Sequence, residues 1–109
     1  MIYCDNAATT QTDPAVIALM AESSLEYFGN PSSLHTFGQK AKQKLNQARE
    51  ELSNYLSCKA SEVIFTSSGT EGNNIAIYGL SNTRTNGKKQ IITSSIEHSA
   101  VIKPLEELE

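Results

Sequence analysis

The sequence has no tryptophan, only two cysteines and no apolar run long enough to span a membrane. Cys4 and Cys58 lie far apart and show neither a CxxC spacing nor a Cys/His spacing, so no metal site is expected. We expect both to be reduced thiols that act as small core residues, because isolated cysteines are seldom paired in cytosolic proteins.

The sequence also lacks a strong excess of either positive or negative charge. Nine Lys and Arg residues oppose twelve Asp and Glu residues, which gives a formal net charge of -3 without any basic cluster. Direct binding of nucleic acid is therefore not indicated. The first residues lack the basic and apolar regions of a signal peptide, so we expect a cytoplasmic location and no membrane association.

The first half of the 109-residue chain divides into an arm and a helical segment. Residues 1–12 form the arm, and its small polar run fits either a solvated arm or a tight backbone path near a ligand. Residues 13–57 form the helical segment. Asp13 and Pro14 are typical of a helix start, and a second amphipathic helix of about 20 residues follows, with Ser32 or Ser33 as its cap.

Residues 62–74 carry the strongest local signal in the sequence. A short apolar run, 62–66, predicts a buried strand, and it changes abruptly into small hydroxyl and glycine residues before a helix. A helix start offers unpaired N–H groups to an anion, Gly69 permits close approach, and Ser67, Ser68 and Thr70 add hydroxyl groups. These residues predict a phosphate site, but they fit equally well a helix that Ser68 or Thr70 merely caps.

A second strand is predicted at residues 90–93, after a helix from about Thr70 to Leu80 and a polar loop at 81–89. Strand, helix and strand in this order indicate a βαβ unit with parallel pairing, and so an α/β fold. His98 follows the second strand, where ligands bind in such sheets. The last apolar pattern, from Ser99, has no stop signal, which suggests a truncated chain.

Taken together, these motifs resemble one family, and the resemblance covers essentially the whole chain. They are similar to the N-terminal part of the cysteine desulfurases, pyridoxal-phosphate enzymes of the class V aminotransferase group. The matching pieces are residues 3–10, residues 28–33 with His35 and Gly38, residues 65–71 with Asn73 and Asn74, and Glu97-His98 with Ala100 and Val101.

The resemblance implies the type I aminotransferase fold with a mainly parallel sheet, normally in a homodimer. Residues 58–109 would begin its large cofactor-binding domain. Gly69 and Thr70 would hold the phosphate of pyridoxal 5'-phosphate, and His98 would stack on the pyridine ring and help to move protons. The residues near the substrate would be Asn6, Ala7, Ala8 and Thr9.

The family's reaction would remove sulfur from L-cysteine, giving L-alanine and an enzyme persulfide that serves a sulfur-acceptor protein in iron–sulfur cluster biogenesis or tRNA thiolation. No lysine or cysteine here matches the family's Schiff-base Lys or persulfide Cys, so these 109 residues alone are expected to be inactive. Two alternatives stay open: another class V enzyme, such as a selenocysteine lyase, or a non-catalytic module that binds phosphate or docks on a partner.

Overall fold

The computed structural model describes residues 1–83 and 90–109, which form two compact units, Met1–Val63 and Ile64–Glu109. The predicted polar loop at 81–89 lies mostly outside the described residues. The helices are α1 (Pro14–Glu26), α2 (Thr36–Tyr55), α3 (Gly69–Asn82) and α4 (Ser99–Leu108), with a single 3-10 turn at Ala60–Glu62.

Helix α1 begins where the sequence predicts. The Ala15 N–H donates to Asp13 Oδ1 at 2.7 Å, and Pro14 occupies the first turn, where its missing N–H has no consequence. The helix ends at Glu26, and the Tyr27 N–H closes the last turn by donating to the Ser23 carbonyl at 2.9 Å.

Helix α2 has a different cap from the one predicted. His35, rather than Ser32 or Ser33, is the N-cap, and its Nδ1 accepts the Gly38 N–H at 3.3 Å. Gly38 is buried, and a methyl group there would lie 2.5 Å from the Ser33 carbonyl oxygen and 2.6 Å from that of Asn30. The loop before α2 therefore presses its backbone against the first turn, which explains a glycine inside a helix.

The second unit contains α3 and α4, which run in the same direction. The Tyr78 hydroxyl donates to Glu107 Oε2 at 2.5 Å, towards the C-terminal end of each helix. The same groove is lined by Thr70 of α3 and by Ser99 of α4, both about 12 Å back along their helices from that pair. The two helix starts therefore share one end of this unit.

The strands predicted at 62–66 and 90–93 are not found as paired strands within the described ranges. Glu62 belongs to the 3-10 turn, and residues 63–66 and 90–94 have no regular hydrogen-bonded structure. A strand is stable only when a neighbouring backbone accepts and donates its hydrogen bonds, and two strands alone are marginal. The apolar pattern indicated extended backbone, but it does not identify the neighbouring strand that would pair with that backbone.

Little apolar surface is buried in either unit. Among the described residues, the buried hydrophobic side chains are Ala41 and Ala100, and Cys4 is exposed rather than a core residue. Large apolar side chains remain exposed on every helix, including Ile17 at 55%, Leu52 at 43% and Ile75 at 44%. The apolar middle of α3 is thus only partly covered within the described residues.

No helix in the described parts of the chain is both long and apolar enough to cross a lipid bilayer.

Candidate functional site

The start of α3 is organised by reciprocal hydrogen bonds. Ser68 is the N-cap in extended conformation, and its hydroxyl accepts the Glu71 N–H at 3.2 Å. The Thr66 hydroxyl donates to the Ser68 carbonyl at 3.1 Å, which braces the residue before the helix. The capping alternative considered for Ser68 is thus what the structure shows for that side chain.

Glu71 closes the turn from the helix side. Its Oε2 accepts the Ser67 N–H at 2.5 Å and the Ser67 hydroxyl at 2.7 Å. These bonds, first to the backbone and then to the side chain of Ser67, hold the pKa of Glu71 below its ordinary value, against a smaller opposing effect of desolvation. Ser67 therefore has both donors engaged and offers neither of them to a ligand.

In the first turn of α3, the adjacent N–H groups of Gly69 and Thr70 have no partner within the described chain and are available to a ligand. The first hydrogen bond within the helix is donated by Gly72 to the Ser68 carbonyl, so these two groups precede the helical ladder. Nothing in the described chain lies within 4 Å of a methyl group placed on Gly69. Adjacent free N–H groups, an exposed helix start and open space above Gly69 suit an anion such as a phosphate.

His98 is placed at the start of α4. It is the N-cap residue, and its Nδ1 accepts the Ala100 N–H at 3.1 Å. Because Nδ1 accepts, the neutral imidazole carries its proton on Nε2. The cap thus fixes the ring by one nitrogen, while the other nitrogen and the faces of the exposed ring stay accessible.

The structure brings the two helix starts together at one end of the second unit. The groove between α3 and α4 is lined by Thr70, Asn74, Tyr78, Ser99, Ala100, Lys103, Pro104 and Glu107. The groove is lined by one cationic side chain, Lys103, and one carboxylate, Glu107. Gly69 and Thr70 lie at one helix start and His98 at the other, on neighbouring elements.

The four residues of the arm that were predicted to lie near the substrate, 6–9, belong to a tight turn in the first unit. The N–H groups of Ala8 and Thr9 both donate to the Asp5 carbonyl, at 3.1 and 3.3 Å. The Tyr3 hydroxyl lies 3.0 Å from the Asp5 carbonyl oxygen and 3.2 Å from that of Thr9. The arm thus follows a tight backbone path, with Asn6, Ala7, Ala8 and Thr9 exposed on it.

Some features of these sites were missed by sequence reasoning. The spacing of Ser68 and Glu71 is that of a capping box, which could have shown that Ser68 is engaged. The role of His35 as a cap and the hydrogen bond between Tyr78 and Glu107 had no comparable signal, since histidine is an unusual cap and the pair is separated by 29 residues.

Comparisons with known proteins agree on one family. The family described as Aminotransferase class-V matches residues 2–109. Cysteine desulfurase 2 of Trichormus variabilis is 46% identical over 109 residues, covering 100% of this chain and 27% of the relative. Cysteine desulfurase IscS of Dictyoglomus turgidum is 44% identical over 108 residues, with coverages of 99% and 27%. A cysteine desulfurase of Bradyrhizobium diazoefficiens is 47% identical over 108 residues, with coverages of 98% and 27%.

The chain therefore spans about a quarter of the length of the curated relatives that it matches.

Proposed function

Because the chain belongs to the class-V aminotransferase family, we propose that it forms part of a pyridoxal-phosphate-dependent cysteine desulfurase. Relatives that match it along its full length carry that name, at identities of 41–47%. In this proposal the substrate is L-cysteine, and the products are L-alanine and a persulfide sulfur that passes to an acceptor protein for iron–sulfur clusters or tRNA thiolation.

The observation that carries the proposal is the start of α3. Its donor set fits the phosphate of the cofactor, since Gly69 and Thr70 present adjacent N–H groups that no described residue accepts. The open space beside Gly69 leaves room for a ligand to reach the backbone. The partial positive charge of the helix start would favour a doubly charged phosphate at this point.

When bound, pyridoxal phosphate supplies the electron sink for reactions at the amino acid's α-carbon. The chain's own residues bind and orient it. The N–H groups of Gly69 and Thr70 and the Thr70 hydroxyl hold the phosphate. Glu71 keeps Ser67 engaged, which holds the turn in shape before a ligand binds.

His98 would orient the ring and hold a proton beside it. Its Nδ1 is fixed by the Ala100 N–H, so the plane of the imidazole is set by the start of α4. An aromatic ring in this position would stack on a flat cofactor ring, with the proton on Nε2 available for donation. We assign His98 as the catalytic residue in this part of the protein on these grounds.

Further parts of the proposal concern the whole enzyme. Residues 63–66 and 90–94 would become strands of a mainly parallel sheet in the whole enzyme. Asn6, Ala7, Ala8 and Thr9 would lie near the substrate. We further propose a cytoplasmic homodimer, and we expect these 109 residues alone to be inactive because no lysine here matches the family's Schiff-base position.

The test is product formation by the protein expressed from its full coding sequence. With pyridoxal phosphate and L-cysteine, we expect L-alanine and, with a thiol reductant, sulfide in equal amounts. L-Selenocysteine assayed in parallel separates the main alternative, since a selenocysteine lyase would act on it and spare L-cysteine. Cofactor binding without turnover of either amino acid would favour a binding module and contradict the proposal.

A further inference from the structure

One contact in the second unit is not explained by the site residues themselves. The Tyr78 hydroxyl donates to Glu107 Oε2 at 2.5 Å, and it is the hydrogen bond that joins α3 to α4 among the described residues. A phenol donating to a carboxylate forms a short, charge-assisted bond with a strong directional preference. The two helices are therefore linked at one defined position along their axes.

The position of this bond along the two helix axes has a simple relation to the site. Tyr78 lies nine residues after Gly69 on α3, and Glu107 lies nine residues after His98 on α4. At 1.5 Å per residue, both separations are about 13.5 Å. Since α3 and α4 run in the same direction, the bond near their C-terminal ends keeps Gly69 and His98 at the same position along the helix axes.

Few residues are fully buried in the rest of the contact between the helices. The buried residues that α4 places there are Ala100 and Pro104, which are small and have few atoms to interlock. No residue of α3 is fully buried. Register along a pair of helices is set by side chains that fit into grooves, so a pair with small contact residues depends more on a directional bond.

From these observations we propose that Tyr78 and Glu107 are a positioning pair that sets the axial register of α3 against α4. The pair thereby fixes how far the phosphate-binding turn stands from the imidazole of His98. This inference rests on the proposed function, because the register matters only to a ligand that contacts both helix starts. Neither residue touches the cofactor in this account.

The pKa of Tyr78 is raised above its ordinary value, first by the hydrogen bond to Glu107 and then by desolvation. The hydroxyl therefore stays protonated and able to donate across the neutral range, which a permanent positioning contact requires.

The experiment compares two ligands on the apoenzyme of the full-length protein. Inorganic phosphate needs only the start of α3, whereas pyridoxal phosphate needs both helix starts at the correct spacing. The variants are Tyr78→Phe, which loses only the hydroxyl, and Glu107→Ala, which loses the acceptor. The matched controls are Tyr55→Phe, Glu106→Ala and Glu107→Gln, the last of which keeps an acceptor oxygen. Tyr55 and Glu106 are exposed residues outside the pair.

We expect Tyr78→Phe and Glu107→Ala each to weaken pyridoxal phosphate binding about fivefold, as suits loss of one hydrogen bond of about 1 kcal/mol. The double variant should be no worse than either single variant. Phosphate affinity, followed by 31P NMR, should stay at the wild-type value in every variant, and the controls should bind both ligands normally. The near-ultraviolet and visible circular dichroism of the bound cofactor should change in the two variants only.

Two results would overturn the positioning role. Equal losses of phosphate and pyridoxal phosphate affinity would show a general loss of structure, and unchanged affinities would show that the pair does not set the register. Tyr78→Phe decides the matter if Glu107→Ala does not fold. Failure of the wild-type protein itself to bind pyridoxal phosphate would instead refute the proposed function.

Discussion

Glu71 accepts both polar hydrogens of Ser67, with its Oε2 at 2.5 Å from the Ser67 nitrogen and 2.7 Å from the hydroxyl oxygen. The residue that precedes the helix cap is thus held by a carboxylate from the first turn of the same helix. This arrangement engages Ser67 within the protein and leaves the N–H groups of Gly69 and Thr70, in the first turn of the helix, available to a ligand.

The first prediction concerns pH. The pKa of Glu71 is lowered in the folded protein, so its bonds to Ser67 contribute fully above the ordinary carboxyl pKa of about 4.3. That contribution is lost as pH falls through the lower pKa of the folded state. The Ser67 amide proton should therefore shift in NMR spectra as acid is added, with a midpoint below that of an ordinary glutamate.

Glu71→Gln provides the control for this titration. Its amide oxygen can still accept from Ser67 but does not titrate, so the Ser67 amide shift should stay flat over the same range. A Ser67 signal that titrates equally in the wild-type and Gln proteins would contradict the assignment to Glu71.

The second prediction separates the ligand role of Gly69 from any role in folding. A methyl group on Gly69 meets nothing in the described chain, so Gly69→Ala should leave stability unchanged or raise it by up to about 1 kcal/mol. It should nevertheless weaken pyridoxal phosphate binding, because a ligand in the open space beside Gly69 would meet the added methyl group.

Gly79 is a matched control on the same helix, since a methyl group there also meets nothing within 4 Å. Gly79→Ala should change stability in the same direction and leave cofactor affinity untouched. Calorimetry and a cofactor titration of both variants suffice, and normal cofactor binding by Gly69→Ala would count against the site.

The third prediction distinguishes the two roles of His98. Asparagine is a favoured N-cap, so His98→Asn should keep the cap on α4 while it removes the aromatic ring. His98→Ala should lose both, with an added stability loss of about 1 kcal/mol. Both variants should lose the circular dichroism that stacking on His98 induces in the bound cofactor, and they should lose most of the activity. If His98→Asn kept full activity, the ring would have no catalytic role.

The fourth prediction concerns stability in the first unit. A methyl group on Gly38 would lie 2.5 Å from the Ser33 carbonyl oxygen, so Gly38→Ala should destabilise the protein by about 1–3 kcal/mol. Gly79→Ala, with open space around it, should not do so. Equal melting temperatures for these two variants would show that the loop before α2 is not tightly packed.

Local signals in the sequence predicted much of the helical structure. Asp13 and Pro14 mark the start of α1, the three- and four-residue apolar spacing marks α2, and small hydroxyl residues mark the start of α3. These features depend on interactions within a few residues, which a single sequence displays directly. The family resemblance is confirmed by the match over residues 2–109.

Features that depend on distant residues were not predictable in the same way. The apolar runs at 62–66 and 90–93 predicted strands, but strand formation needs a neighbouring backbone that the pattern does not identify. The sequence offered Ser67 as a hydroxyl donor to phosphate but did not show that Glu71 accepts both of its polar hydrogens in this structure. The bond between Tyr78 and Glu107 joins residues whose proximity arises only when α3 and α4 pack.

The most direct test of the central claim is a crystal structure of the full-length protein with pyridoxal phosphate. We expect phosphate oxygens at about 2.7–3.2 Å from the Gly69 and Thr70 nitrogens, and the imidazole of His98 stacked on the pyridine ring. A cofactor phosphate bound away from the start of α3, or a ring with no contact to His98, would contradict the account.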